Sequence, residues 1–197
     1  MKIRALIIFV VLLIATITNA FDGKRKGFVL GGGIGLSPWD GFDWSDQRGV
    51  LEGSGNAIVF DLVAGHGFSE QDLILIDLHF LSHGFCNLDD LTMVHDFIGL
   101  TWRHHFGQAR RSVFSQIGAG RFALSTFDTR RDHPVDFIYD KVMRSTGAGW
   151  GANLGLGCHV LRHFNISGNW WVGSFNHEDG GRVHQSFFDL TTSVLLF

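Results

Sequence analysis

Residues 146–160 read TGAGWGANLGLGCHV, and this stretch decides the fold that we predict for the chain. From Ala148 to Val160 every second residue is apolar, and the residues between them are glycine, asparagine or histidine. A period of two residues indicates a β-strand with one apolar face and one small or polar face. The stretch exceeds the ~5–6 residues of a usual globular strand and the ~9–11 residues that cross a bilayer. Since glycine weakens a strand unless something packs closely on it, the pattern favours a strand between lipid and a narrow barrel interior.

The same alternation recurs along the chain. Apolar residues at every second position predict strands at 27–37, 56–65, 72–82, 92–106, 112–124, 146–160, 164–175 and 184–197. The connections are alternately long and short, and the long ones follow the first, third, fifth and seventh strands, beginning with a loop over 38–53. This pattern is typical of outer-membrane barrels. We therefore predict an all-β fold, an eight-stranded antiparallel up-and-down transmembrane β-barrel with both termini in the periplasm.

The first 20 residues have the features of an export signal. Lys2 and Arg4 precede an apolar run over 5–14, and small residues at Thr18 and Ala20 suit a cleavage site. A transmembrane helix is the alternative, but the run is shorter than the ~20 residues that a span needs. The predicted organisation is a cleaved signal peptide over 1–20 and an outer-membrane barrel domain over 21–197.

Charge and composition fit this organisation. Charged residues make up 18% of the chain, below the ~25% of soluble domains. Without the two basic residues of the signal peptide, 14 Lys and Arg (16 − 2) face 19 Asp and Glu, a balance of −5. A nucleic-acid partner is therefore not expected.

The polar residues between the apolar rows are predicted to line the barrel interior. Asp61 and Asp77 lie on adjacent predicted strands, with Arg103 on the next, so acids paired with Arg103 and His79 would offset the cost of burying charge. An ion or proton pathway is the alternative, although eight strands leave little room for one. The predicted interior polar residues are Asp61, Asp77, His79, Arg103, Gln116, Asn153, His159 and Asn169.

The chain contains 11 histidines, but their spacing indicates no metal site. His104 and His105 are adjacent and point to opposite faces of a strand, and His79 and His83 are too far apart along a strand to converge. No H-x-x-x-H pair lies on a predicted helix, where that spacing would form a zinc motif. Neither a metal nor another cofactor is expected.

Three runs resemble the small eight-stranded outer-membrane β-barrel family of Gram-negative bacteria. They are GFVLGGGIGLS at 27–37, GAGWGANLGLG at 147–157 and FDLTTSVLLF at 188–197. The resemblance implies a porin-like barrel in the cell outer membrane, in contact with membrane lipid and lipopolysaccharide. It also implies that Phe197 is read by the barrel-assembly machinery. The chain departs from that signal because the strand face of Phe197 is mostly polar, so either this residue is frayed or the signal is read loosely.

The resemblance leaves the activity open between three hypotheses. The first is a structural or surface-interaction role, such as adhesion or binding, through the extracellular loops, with no catalysis expected. The loop over 125–145 is the longest and most charged, and a surface ligand is most expected there. Another hypothesis is a soluble lipocalin-like barrel that keeps its apolar rows inside around a hydrophobic ligand.

The remaining hypothesis is an outer-leaflet hydrolase that modifies lipid A. His184 and Ser186 have the His-x-Ser spacing that resembles the lipid A deacylase family, and residues two apart share a strand face, so the imidazole could activate the hydroxyl. Phe187 stands where that family has Asn, and the pair lies on the last predicted strand instead of the penultimate one.

Overall fold

The structure, a computed structural model, describes residues 25–46, 49–83, 91–107, 112–128, 147–177 and 181–197. They form eight strands: β1 (Gly27–Asp46), β2 (Gly49–Gly67), β3 (Asp72–His83), β4 (Leu91–Phe106), β5 (Val113–Asp128), β6 (Gly147–His159), β7 (Phe164–His177) and β8 (Arg182–Leu196). The predicted signal peptide over 1–20 lies outside these residues. Within them, no helix is long and apolar enough to cross a membrane.

The eight strands close into one antiparallel barrel. Each strand pairs with its neighbours in sequence, and β1 also pairs with β8, with Leu30 opposite Leu196. The predicted fold class is therefore confirmed. We call the end at which β1 begins and β8 ends the terminal end, and the opposite end, where β1 ends, the loop end.

The first hairpin differs from the prediction. The expected loop over 38–53 is mostly strand, because β1 continues to Asp46 and β2 begins at Gly49. Pro38 lies where the register shifts between Ser37 and Asp40. A bulge tolerates proline because the missing N–H is not needed there. The Ser37 hydroxyl oxygen lies 2.8 Å from the carbonyl oxygen of Phe188 and 3.0 Å from that of Trp39, so its one hydrogen can be donated to either and closes the irregularity.

The outer wall of the barrel is apolar. Trp150 is 78% exposed, Leu156 65% and Leu36 63%, and large apolar side chains on every strand follow the same outward rows. A soluble protein rarely exposes a continuous apolar band of this kind, whereas a membrane barrel requires one. The lipocalin-like hypothesis placed these rows inside, which is the opposite of what the chain does.

The interior is filled by side chains in three layers. The layer nearer the loop end is apolar and consists of Ala57, Val59, Leu81, Phe97, Phe122, Trp171, Phe175, Val183 and Phe187. A second apolar cluster nearer the terminal end consists of Val29, Val63, Leu73, Leu75, Leu195 and Phe197. Polar residues lie between them and, on β4, β6 and β7, continue to the terminal end with His105, His159 and Asn165. On β3, for example, Asp77 and His79 separate Leu75 from Leu81.

Phe197 belongs to the inner packing of the terminal end. Its side chain is only 2% exposed, and its ring centroid lies 5.2 Å from that of His163 and 6.0 Å from that of His159. The face that it shares with Asp189 points inward, which explains why that face is mostly polar.

We expect Phe197→Ala to lower the free energy of unfolding by about 3 kcal/mol, because it empties a buried aromatic site. Urea unfolding in detergent, followed by tryptophan fluorescence, measures the loss. Leu196→Ala is the matched control, since Leu196 is the neighbouring residue on the outward face. Equal losses in the two variants would contradict the inward packing of Phe197.

Candidate functional site

A chain of hydrogen bonds joins four strands inside the barrel. Arg103 Nε donates to Gln116 Oε1 at 2.9 Å. Gln116 Nε2 donates to Asn169 Oδ1 at 2.8 Å, and Asn169 Nδ2 donates to Asp189 Oδ1 at 2.8 Å. Every donor points the same way, from the guanidinium toward the carboxylate. Hydrogen bonds aligned in this way polarise and strengthen one another in a medium of low dielectric constant.

Asp189 is the acceptor on which the polar layer converges. This carboxylate is fully buried, and it also accepts hydrogen bonds from Thr191 Oγ1 at 2.7 Å and from Trp171 Nε1. His79 Nε2 lies 3.5 Å from Asp189 Oδ2, and the rings of His79 and Trp171 stack with centroids 4.2 Å apart. The hydrogen bond to Asp189 holds the Trp171 ring, whereas His79 Nε2 has no hydrogen-bond partner among the described residues and its ring is held by the stack on Trp171.

Asp61, Asp77 and His79 form a compact group beside this chain. One potential ligand atom from each residue lies within 4.8 Å of the others. Thr101 Oγ1 donates to Asp77 Oδ2 at 3.0 Å, whereas Asp77 Oδ1 has no hydrogen-bond partner among the described residues.

Arg103 acts on the two acids at longer range than the direct pairing that we expected. Among the described residues, no ion pair within 4.0 Å joins its guanidinium to Asp61 or Asp77. The guanidinium lies 4.5 Å above the ring centroid of Phe114 and hydrogen-bonds Gln116. Arg103 therefore contributes charge to the polar layer without capping either carboxylate.

Asn153 and His159 are buried but stand apart from the hydrogen-bonded chain. The side-chain amide of Asn153 has no hydrogen-bond partner among the described residues. His159 packs nearer the terminal end, with its ring centroid 4.9 Å from that of His105. Sequence reasoning did not select Asp189 and Trp171, which hold the polar layer together. Asp189 and Thr191 are alternate polar residues on one face of the last strand, and this pattern could have identified Asp189 as an interior residue.

His184 and Ser186 lie on the outward face of β8, flanking the inward Gln185. The residues opposite His184 in the register are Ser174 on β7 and Asp43 on β1. Among the described side chains, no hydrogen bond joins the imidazole to the Ser186 hydroxyl. The structure therefore places the pair on one face without forming a nucleophile–base contact.

Asp72 lies at the terminal end, outside the apolar band, and two outward side chains contact its carboxylate. His104 Nδ1 lies 2.8 Å from Asp72 Oδ1, and Trp102 Nε1 donates to the same oxygen at 3.1 Å. The hydrogen bond with His104, followed by that from Ser69, lowers the pKa of Asp72 below its ordinary value. The predicted ligand-binding loop over 125–145 lies outside the described residues from position 129 onward, and no side chain is described over 125–128.

Comparison with known proteins supports the fold alone. No protein-family model and no curated protein matches the chain. Among solved structures, Neisserial surface protein A (NspA) is 13% identical, with a TM-score of 0.51 over 86% of this chain and 97% of that one. OprG from Pseudomonas aeruginosa is also 13% identical, with a TM-score of 0.46 over 89% and 99% of the two chains. Together with the closed topology, the similarity to NspA shows that the chain has the fold of the small eight-stranded outer-membrane β-barrels.

Proposed function

We propose that the protein is an integral outer-membrane barrel with a structural or surface-interaction role through its loops, and without catalysis. The filled interior is the observation that carries this proposal. Apolar clusters lie toward both ends, polar side chains fill the space between and beside them, and side chains occupy the barrel from Phe122 near the loop end to Phe197 at the terminal end. Because a barrel of eight strands is just wide enough for its own side chains, conduction is not its task. The outer wall and the loops remain for function.

Fractionation and detergent gels test the location. We expect the full chain in the outer membrane, with a mobility that changes when the sample is boiled, because a closed barrel resists detergent until heated. The mature chain should begin at Phe21 if the signal over 1–20 is cleaved. Recovery in the soluble periplasm without a mobility shift would contradict the proposal.

Trypsin added to intact cells tests the loops. Arg130, Arg131 and Lys141 lie in the 125–145 loop, and we expect cleavage there to leave a nicked barrel that separates into two fragments only on boiling. Arg162, exposed between β6 and β7 at the opposite end, is the matched control. It should be cleaved only after the outer membrane is permeabilised. Cleavage at Arg162 in intact cells would invert the proposed orientation.

Two partners follow from the proposed location. Arg121 is exposed on the outward face of β5, beyond the apolar residues Ile117 and Ala119, where its guanidinium suits a lipopolysaccharide phosphate. Phe197 is the proposed recognition residue for the barrel-assembly machinery, which would read it before the barrel closes and the ring becomes buried.

The hydrolase hypothesis has a separate test. Because the described side chains form no His184–Ser186 hydrogen bond, we expect Ser186→Ala to leave the acylation of lipid A unchanged. Mass spectra of lipid A from cells that express the wild type, the variant or an empty vector should coincide. A loss of acyl chains with the wild type that disappears in Ser186→Ala would establish the hydrolase instead.

A further inference from the structure

The polar layer inside the barrel contains more negative than positive charge. Within the described strands, the half-buried Asp61 and the buried Asp77 and Asp189 contribute three carboxylates, whereas the buried Arg103 contributes one guanidinium. With all of them ionised and His79 neutral, the layer has a charge of −2. Charge buried without compensation is costly, so the interior needs either protons or a cation.

The carboxylate oxygen that lacks a hydrogen-bond partner belongs to Asp77 and not to Asp189. Asp189 accepts hydrogen bonds at both oxygens from Asn169, Thr191 and Trp171. Asp77 accepts one hydrogen bond, and its Oδ1 atom is buried without a partner among the described residues. A cation placed here would therefore meet a carboxylate oxygen that the protein leaves unsatisfied.

The ligand set beside this oxygen suits a transition metal. Two carboxylates and one imidazole converge, with ligand atoms all within 4.8 Å of one another. Ligands bound at ~2.0–2.2 Å from one ion lie up to ~4 Å apart, so small side-chain movements suffice. Mixed oxygen and imidazole ligands favour Zn²⁺, Fe²⁺ or Mn²⁺ over Ca²⁺, which takes oxygen ligands alone.

Asp189 lies where it could support a metal-bound His79. His79 Nε2 is 3.5 Å from Asp189 Oδ2 without a hydrogen bond, and a small side-chain movement would form one. A carboxylate beside the ring nitrogen that does not bind the metal fixes the tautomer and orientation of a liganding histidine. The stacked ring of Trp171 holds His79 further in place.

We propose that Asp61, Asp77 and His79 bind one divalent transition-metal ion inside the barrel. Such an ion brings the charge of the polar layer from −2 to zero, with Arg103 balancing the remaining carboxylate. Because packed side chains fill the barrel on both sides of the site, the ion is expected to enter while the strands assemble and to exchange slowly afterwards.

Metal retention tests this site. The full chain, without a polyhistidine tag, is refolded into detergent micelles with Zn²⁺ and passed through EDTA before elemental analysis. We expect about one Zn²⁺ per folded wild-type barrel and at least a ~10-fold lower content in Asp77→Asn and His79→Gln. Asp72→Asn is the matched control, because it removes an exposed carboxylate that also contacts a histidine, and it should retain the full amount.

The heat-dependent mobility shift gives the fraction of folded barrels, so that the metal content of each variant is expressed per folded barrel. Co²⁺ in place of Zn²⁺ gives a second readout, since absorption bands of the bound ion should be present in the folded wild type and absent from His79→Gln. No retained metal and no Co²⁺ bands in the wild type would overturn the proposal, and a proton shared by Asp61 and Asp77 would then neutralise the layer. Equal retention by both site variants and the wild type would also overturn it, by placing the metal elsewhere.

Discussion

Asp189→Ala is expected to lower the free energy of unfolding by about 3–5 kcal/mol, because it removes the acceptor of a buried charge-assisted network. Asn169 Nδ2, Trp171 Nε1 and Thr191 Oγ1 would all lose their acceptor at once. Each buried donor left without a partner costs about 1–3 kcal/mol. Replacing a buried carboxylate with an apolar side chain also removes a cost of burying charge. This gain in stability is small, because alanine leaves a cavity that the closed wall cannot collapse to fill.

Urea unfolding in detergent micelles measures this effect, with the mobility shift on unboiled gels as a check of folding. Thr192→Ala is the matched control: Thr192 is exposed, and its hydroxyl donates only to the Ile34 carbonyl oxygen at 3.1 Å. We also expect Trp171→Phe and Asp189→Ala to be less than additive, because both remove the same hydrogen bond. Full additivity would show that Asp189 does not hold Trp171.

Gly151→Val is expected to abolish folding. Four inward glycines stand directly opposite one another across β4 to β7, and Phe122 lies over two of them. A side-chain carbon added at Gly151 would approach Phe122 Cδ2 to 2.8 Å and the Val172 carbonyl oxygen to 2.9 Å. The row consists of Gly99, Gly120, Gly151 and Gly173.

The reason for the large effect is that neither neighbour can move away. Phe122 is already packed among Phe97, Phe175 and Phe187, and the carbonyl belongs to the sheet. Ala152→Val adds carbon atoms one residue further along, on the outward face, and should leave folding intact. The measurement is the fraction of chain that shows the heat-dependent shift. A folded Gly151→Val barrel would contradict the role that we assign to the glycine row.

Strand number, topology and the inward or outward direction of side chains were predictable, because alternation of apolar and small residues carries that information. The partners of the polar residues were not. Which residues face each other depends on the stagger between strands, and alternation does not determine the stagger. Asp189 therefore went unselected, and Arg103 reaches Gln116 where we expected an acid. The first hairpin is longer than predicted, because proline usually ends a strand and Pro38 instead lies at a bulge within β1.

The seam between β1 and β8 has a consequence for biogenesis. Leu30 on β1 pairs with Leu196 on β8. The first strand therefore gains its second neighbour only after nearly the whole chain has been made. Until then two edges with unpaired N–H and C=O groups are open, and such edges recruit any extended segment that they meet. Contacts between distant parts of a sequence also form slowly. The chain is therefore most prone to wrong strand pairing while the sheet is still open between β1 and β8. A partner that temporarily occupies these two edges would protect the chain most.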